Sequence, residues 1–133
     1  MQHASLRAAV DAVSQAELVI VATPIYKAAY SGVLKVFLAL LPAEALCGKT
    51  VLPLATGGSP AHLLALDYAL KPVLSALGAR DILGGVFAAD AQLAPHESGG
   101  YVPDAALVER LDRALRPLLD HYSPPALALR CSA

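Results

Sequence analysis

The stretch ELVIVATPIYKAAYSGVLKVFLALLP, residues 17–42, decides how this chain is read. Val19, Ile20, Val21 and Ala22 run apolar without alternation, the pattern of a strand buried on both faces in a parallel sheet. Pro24 closes the expected strand at residues 17–23, because proline offers no N–H to a ladder. Ser31 then caps a helix over residues 31–41, and Pro42 stops it. A strand that needs neighbours on both sides therefore stands close to the start of the chain.

The remaining elements alternate in the same way. A helix over residues 4–15 places Leu6, Val10 and Val13 on one face. Residues 49–55 (KTVLPLA) predict a second strand, ended by Thr56-Gly57-Gly58. Residues 60–77 predict a long helix that starts at Pro60 and stops at Gly78. Residues 80–87 (RDILGGVF) predict a third strand whose glycines mark a bulge or a close contact. Residues 104–120 predict a last amphipathic helix capped by Asp104. Strands alternating with helices imply right-handed crossovers, a parallel sheet and three layers. Three strands are recognisable, whereas small doubly wound α/β domains of the flavodoxin type carry five in the order 2-1-3-4-5. The first strand here has the profile of a third. No repeat or linker divides the chain, so one domain is expected over residues 1–133, with 123–133 (SPPALALRCSA) as a loosely held tail.

Composition narrows the function classes. The 133 residues are 56% hydrophobic, yet charges break every long stretch and none reaches the ~18 apolar residues of a membrane span. The N-terminal MQHASLRAAVDAVSQAE is a mixed amphipathic helix rather than a signal peptide, and a cytoplasmic protein is expected. Net charge is −1 and the ten Lys and Arg are scattered, which argues against nucleic acid or an anionic membrane as partner. Cys47 and Cys131 lack both a disulfide framework and metal spacing.

Ligands of open α/β sheets bind beyond the carboxyl ends of the strands. Two loops belong there. One is Thr23-Pro24-Ile25-Tyr26-Lys27-Ala28-Ala29-Tyr30-Ser31-Gly32, rich in aromatic and hydroxyl groups. The other is Thr56-Gly57-Gly58-Ser59, whose glycines let the backbone approach a planar or anionic ligand. No side chain demands an acid/base role. His62 sits beside the second loop as a capping or surface residue, and no strand–nucleophile–helix elbow supports a Ser59–His62 hydrolase pair.

The run ATPIYKAAYSGVLKVFLALLP, followed by GKTVLPLATGGSPAHLLALDYALKPVLSALGA, resembles the NADPH-dependent FMN reductases of two-component alkanesulfonate monooxygenase systems. The likeness extends over roughly residues 5–120. It implies that the P-x-Y loop (Thr23, Pro24, Ile25, Tyr26, Lys27) and the TGG loop (Thr56, Gly57, Gly58, Ser59) cup the flavin ring. It also implies that Tyr68, in LDYALKP, lies on a π-bulge at a tetramer interface and favours flavin exchange. FMN, with NADPH or NADH, is the implied cofactor set. Implied partners are further copies of the chain, as a dimer or tetramer, and an FMNH2-dependent monooxygenase. The family opens with a strand and a Ser/Arg-rich loop that holds the FMN phosphate; Gly58-Ser59-Pro60 copies its letters in a different loop. The expectation is thus a chain that starts within the domain, lacking two strands and a helix, with impaired activity. A flavodoxin-like quinone reductase or electron carrier, or a non-catalytic oligomerising fragment, are the rival readings.

Overall fold

In the computed structural model, residues 3–122 are described; the tail 123–133, with Cys131, lies outside them. The elements are α1 (Ala4–Gln15), β1 (Leu18–Tyr26), β2 (Ala29–Tyr30), α2 (Gly32–Leu40), β3 (Thr50–Gly57), α3 (Lys71–Ala76), β4 (Asp81–Ile82), β5 (Val86–Ala89), β6 (Leu93–Pro95), β7 (Tyr101–Pro103) and α4 (Ala105–Tyr122). The main sheet runs β2-β1-β3-β4, with β5 also on β3, and β6 and β7 form a separate antiparallel pair. β1, β4 and β5 are all parallel to β3.

Two cores flank this sheet. Val21, Ile25, Val51, Ala55 and Phe87 pack against α1, α2, α3 and the turn before α3, where Leu38, Leu74 and Leu70 are buried. On the opposite face Val86 and Ala88 meet Leu107 and Leu111 of α4. The layers are thus helix, sheet, helix. α4 leaves the β1 side of that face open, and Ile20 is 52% exposed there. Residues 18–24 have β3 on one edge and no strand on the other among the described residues; β2 reaches only Ile25 and Tyr26. No helix among the described residues is long and apolar enough to cross a membrane.

Local signals place several ends. Ser31 accepts a hydrogen bond from the Leu34 N–H and caps α2. Lys49 donates to the Ser14 and Ala16 carbonyls, satisfying the C-terminal end of α1 with a cation. Gly78 stops α3 in a left-handed conformation, φ +88.

Three expectations are corrected. The first strand does not stop at Pro24 but continues to Tyr26. The Glu17 carbonyl accepts from Thr50 N–H on β3, so by alternation Pro24 turns its nitrogen to the unpaired edge, where no donor is needed. The expected parallel sheet is present in β1, β3, β4 and β5, and residues 29–30 add to it a short antiparallel strand, β2. The third strand, expected over residues 80–87, is broken into β4 and β5. The break lies opposite Pro53, which has no N–H to give on the side where Val51 O receives Leu83 N–H. Gly85 fills the gap by close approach: a Cβ there would lie 2.9 Å from Leu66 Cδ1 and 3.2 Å from the Pro53 carbonyl oxygen.

The long helix expected over residues 60–77 is likewise three pieces. A 3-10 turn, Pro60–Leu63, leads to a π-helical turn, Leu66–Leu70, and only then to α3. The π-turn widens the helix by one residue per turn. It buries Leu66 and Leu70 while Tyr68 stays 79% exposed.

Candidate functional site

β1 and β3 are adjacent and parallel, and Pro24 pairs in register with Thr56. Both candidate loops therefore leave the same sheet edge side by side. The first is a β-hairpin. Tyr26 and Ala29 pair across a two-residue turn made by Lys27 (φ +51) and Ala28 (φ +65). Such turns favour Asn-Gly, since both centres are left-handed. Here the loop is held from outside the turn: the buried Thr23 hydroxyl donates to Pro24 O and accepts from Ser31 N–H at 3.0 Å. Tyr30 packs against the core and the π-turn packs against β2. The result is a Tyr26 ring 65% exposed at the sheet edge. Relief of the left-handed alanine should show as added stability: Ala28→Gly is expected to raise the unfolding free energy by about 1 kcal/mol in urea titration. An unchanged or lower midpoint would contradict the strained turn.

The second loop is shaped by what its glycines omit. A Cβ on Gly57 would stand 3.2 Å from Phe87 Cζ and 3.5 Å from Ile25 Cβ, so the bare backbone closes the space between the two loops. Ser59 turns its hydroxyl inward and accepts from the Ala61 N–H. His62 lies behind Gly57, its Nδ1 buried with no hydrogen-bond partner in the described structure. Of the expected ring-cupping residues, Pro24, Ile25, Tyr26, Lys27, Thr56, Gly57 and Gly58 meet at one edge. Thr23 and Ser59 use their hydroxyls within the loops. Tyr68 lies on the π-turn behind the hairpin.

A third loop joins them, and the sequence reading missed it. The turn Asp90–Gln92 follows β5, and Asp90 Oδ2 is 3.7 Å from the place a Gly58 Cβ would take. Gln92 anchors this turn. Its Oε1 accepts from Arg110 at 2.8 Å and from Ala89 N–H at 3.2 Å, and its Nε2 donates to the Asp104 carboxylate. Arg110 also donates to Phe87 O, so side chains satisfy the outer edge of β5. The Leu107 N–H, with help from Gln92, holds the Asp104 carboxyl below its ordinary range. The partners in this network are up to 23 residues apart, and no local pattern marks them.

Two cavities flank the Thr56-Gly57-Gly58-Ser59 loop. One, of about 480 Å³, is lined by Thr23, Pro24, Leu54, Thr56, Val86 and Leu107 among others. The other, of about 880 Å³, starts at Gly58 and runs between β5 and α4 to Pro117. No cluster of three or more metal-ligating side chains occurs among the described residues. An exposed aromatic face, apolar walls and a glycine that places no Cβ over the opening suit a planar ring with a polar rim. The flavin ring fits that description.

The comparisons with known proteins identify the family. Residues 1–94 match the family model described as NADPH-dependent FMN reductase. The chain is 53% identical over 136 residues to FMN reductase (NADPH) of Escherichia coli strain K12, covering 97% of this chain and 70% of that protein. It is 56% identical over 110 residues to FMN reductase (NADPH) of Pseudomonas putida KT2440, covering 83% of this chain and 54% of the relative. Among solved structures, the apo form of the NADH:FMN oxidoreductase EMOB superposes with a TM-score of 0.79 and 44% identity, over 92% of this chain and 63% of that one. The chain thus spans a little over half to about two thirds of the proteins it matches, and its fold is flavodoxin-like α/β. It belongs to the NADPH-dependent FMN reductase family.

Proposed function

We propose that this chain binds FMN between the Tyr26 hairpin and the Thr56-Gly57-Gly58-Ser59 loop and reduces it with NAD(P)H. The flavin supplies the redox chemistry: a hydride from NAD(P)H and a proton from solvent give FMNH2 and NAD(P)+. The residues contribute placement. Tyr26 offers its face to the ring, Gly58 lets the ring edge approach the backbone, and the Gln92–Arg110 network fixes the third loop. The single observation that carries this reading is the register of Pro24 opposite Thr56, which brings both loops to one edge.

Gly58→Ala separates binding from folding. A Cβ there meets only Asp90 Oδ2, at ordinary van der Waals distance, so stability should hold within about 0.5 kcal/mol. FMN affinity, read by quenching of flavin fluorescence, should fall roughly tenfold as the methyl blocks the ring. Unchanged affinity, or no NAD(P)H oxidation with added FMN in the parent chain, would defeat the proposal.

Two finer features belong to the same proposal. The reduced flavin passes to an FMNH2-dependent sulfonate monooxygenase in the cytoplasm, supported by the likeness of residues 22–42 and 48–79 to reductases of that system. A second copy of the chain covers the exposed apolar residues Val33, Val36 and Leu40 on α2 and Leu64 and Tyr68 near the π-turn. Light scattering should then show a dimer or tetramer, and Val33→Asp with Tyr68→Asp should yield a monomer. A parent chain that is monomeric at micromolar concentration would rule this assembly out.

A further inference from the structure

The Asp90 carboxylate has no role in the fold. The third loop brings it to the glycine loop, with Oδ2 3.7 Å from the place a Gly58 Cβ would take. Ala89 and Ala91, on either side of it, line the larger cavity, whereas Asp90 does not. Neighbouring carboxylates are occupied: Asp104 accepts from the Leu107 N–H and from Gln92, and Glu109 pairs with Arg113. Among the described residues, the Asp90 side chain takes part in no hydrogen bond or ion pair.

The turn that carries this charge is fixed. Asp90 opens the turn Asp90–Gln92, and Gln92 ties it to the Ala89 N–H, to Arg110 and to Asp104. The cation of that network is itself committed, because Arg110 donates to Phe87 O and to Gln92 Oε1. An exposed negative charge without a partner therefore stands beside the loop at which the ring edge approaches the backbone.

A charge at that place tells the two redox forms of the ring apart. The ring of oxidised FMN is neutral. Transfer of a hydride, with its electron pair, from NAD(P)H gives NAD(P)+ and leaves the ring one unit more negative until a proton arrives from solvent. The FMN phosphate is common to both forms and cancels in the comparison. Like charges a few ångströms apart at a partly enclosed site repel enough to change an equilibrium constant about tenfold.

We propose that Asp90 is the residue by which this site discriminates between oxidised and reduced flavin: its carboxylate leaves the neutral ring undisturbed and disfavours the anionic reduced ring. The inference rests on the FMN reading above and adds to it a residue and a direction. The site then takes up oxidised FMN more readily than it retains the reduced product.

The test needs neither NAD(P)H nor turnover. Anaerobic titration of the 133-residue chain with FMN and with chemically reduced FMN gives the two affinities, in mildly alkaline buffer where the reduced ring is anionic. Asp90→Asn should leave oxidised FMN within about twofold and tighten reduced FMN about tenfold. That ratio raises the midpoint potential of the bound flavin by about 30 mV for a two-electron couple. Asp90→Glu keeps the charge and should keep the discrimination. Asp112→Asn removes the same charge from an exposed position on α4 that lines neither cavity, and should change neither affinity. Thermal unfolding checks that the variants remain folded, which the unpartnered side chain of Asp90 favours. A purely structural role would move both redox forms together. An equal change in the two forms, no change in either, or the same shift in Asp112→Asn would overturn the assignment. The FMN reading fails in a different way. A parent chain that binds neither form removes both, whereas binding whose redox ratio ignores Asp90→Asn removes this inference alone.

Discussion

Tyr26→Ala should weaken FMN binding about 10- to 50-fold, the effect of losing one aromatic stacking surface of roughly 1–3 kcal/mol against a ring. The ring stands 65% exposed at the end of β1, beside Gly57 and Gly58. Because so little of it is buried, the substitution removes little folding energy, and thermal unfolding should shift by no more than a few degrees. Tyr101 is the control. It is 69% exposed on β7, in the separate β6–β7 pair, and its replacement should leave FMN affinity within about twofold. Fluorescence titration of both variants reads the difference. Equal losses would mean that the flavin is not at the β1–β3 edge.

Gly85→Ala should cost about 2–3 kcal/mol, whereas Gly84→Ala, one residue earlier, should change stability by less than about 1 kcal/mol in either direction. The contrast follows from what each new methyl meets. At Gly84 there is nothing within 4 Å. At Gly85 the methyl would sit 2.9 Å from Leu66 Cδ1 and 3.2 Å from the Pro53 carbonyl oxygen. Leu66 is almost fully buried and starts the π-turn, and Pro53 is in the strand shared by β1, β4 and β5, so neither yields without moving the core. Urea denaturation of the pair provides the comparison. Similar midpoints for the two variants would show that the break between β4 and β5 is slack rather than tightly packed.

The same break explains why parts of the fold were illegible. Ser31, Gly78 and Asp104 act within three or four residues of themselves, so their roles as caps and stops can be read directly from the chain. The apolar run at residues 19–22 and the glycines at 57 and 58 are local in the same sense, and they led to the β1–β3 edge. Pro53 is local too, but its consequence is not. It withholds an N–H from a strand 30 residues later, and that strand splits there. Nothing in RDILGGVF states which of its two glycines is crowded.

By itself, the sequence determined the β1, β3 and α2 core of the alternation, the caps, and the two loops that converge on one sheet edge, since each depends on periodicity or on a residue's own backbone preference. Tertiary structure alone decided the rest. The hairpin turn at Lys27 and Ala28 runs against local preference and is held by Thr23, Ser31 and the half-buried Tyr30. The third loop is set by Gln92, Arg110 and Asp104, which meet only once α4 lies on the sheet. Local rules sum over neighbours in the chain; a hydrogen bond between residues 18 or 23 positions apart exists only after the backbone has closed that distance.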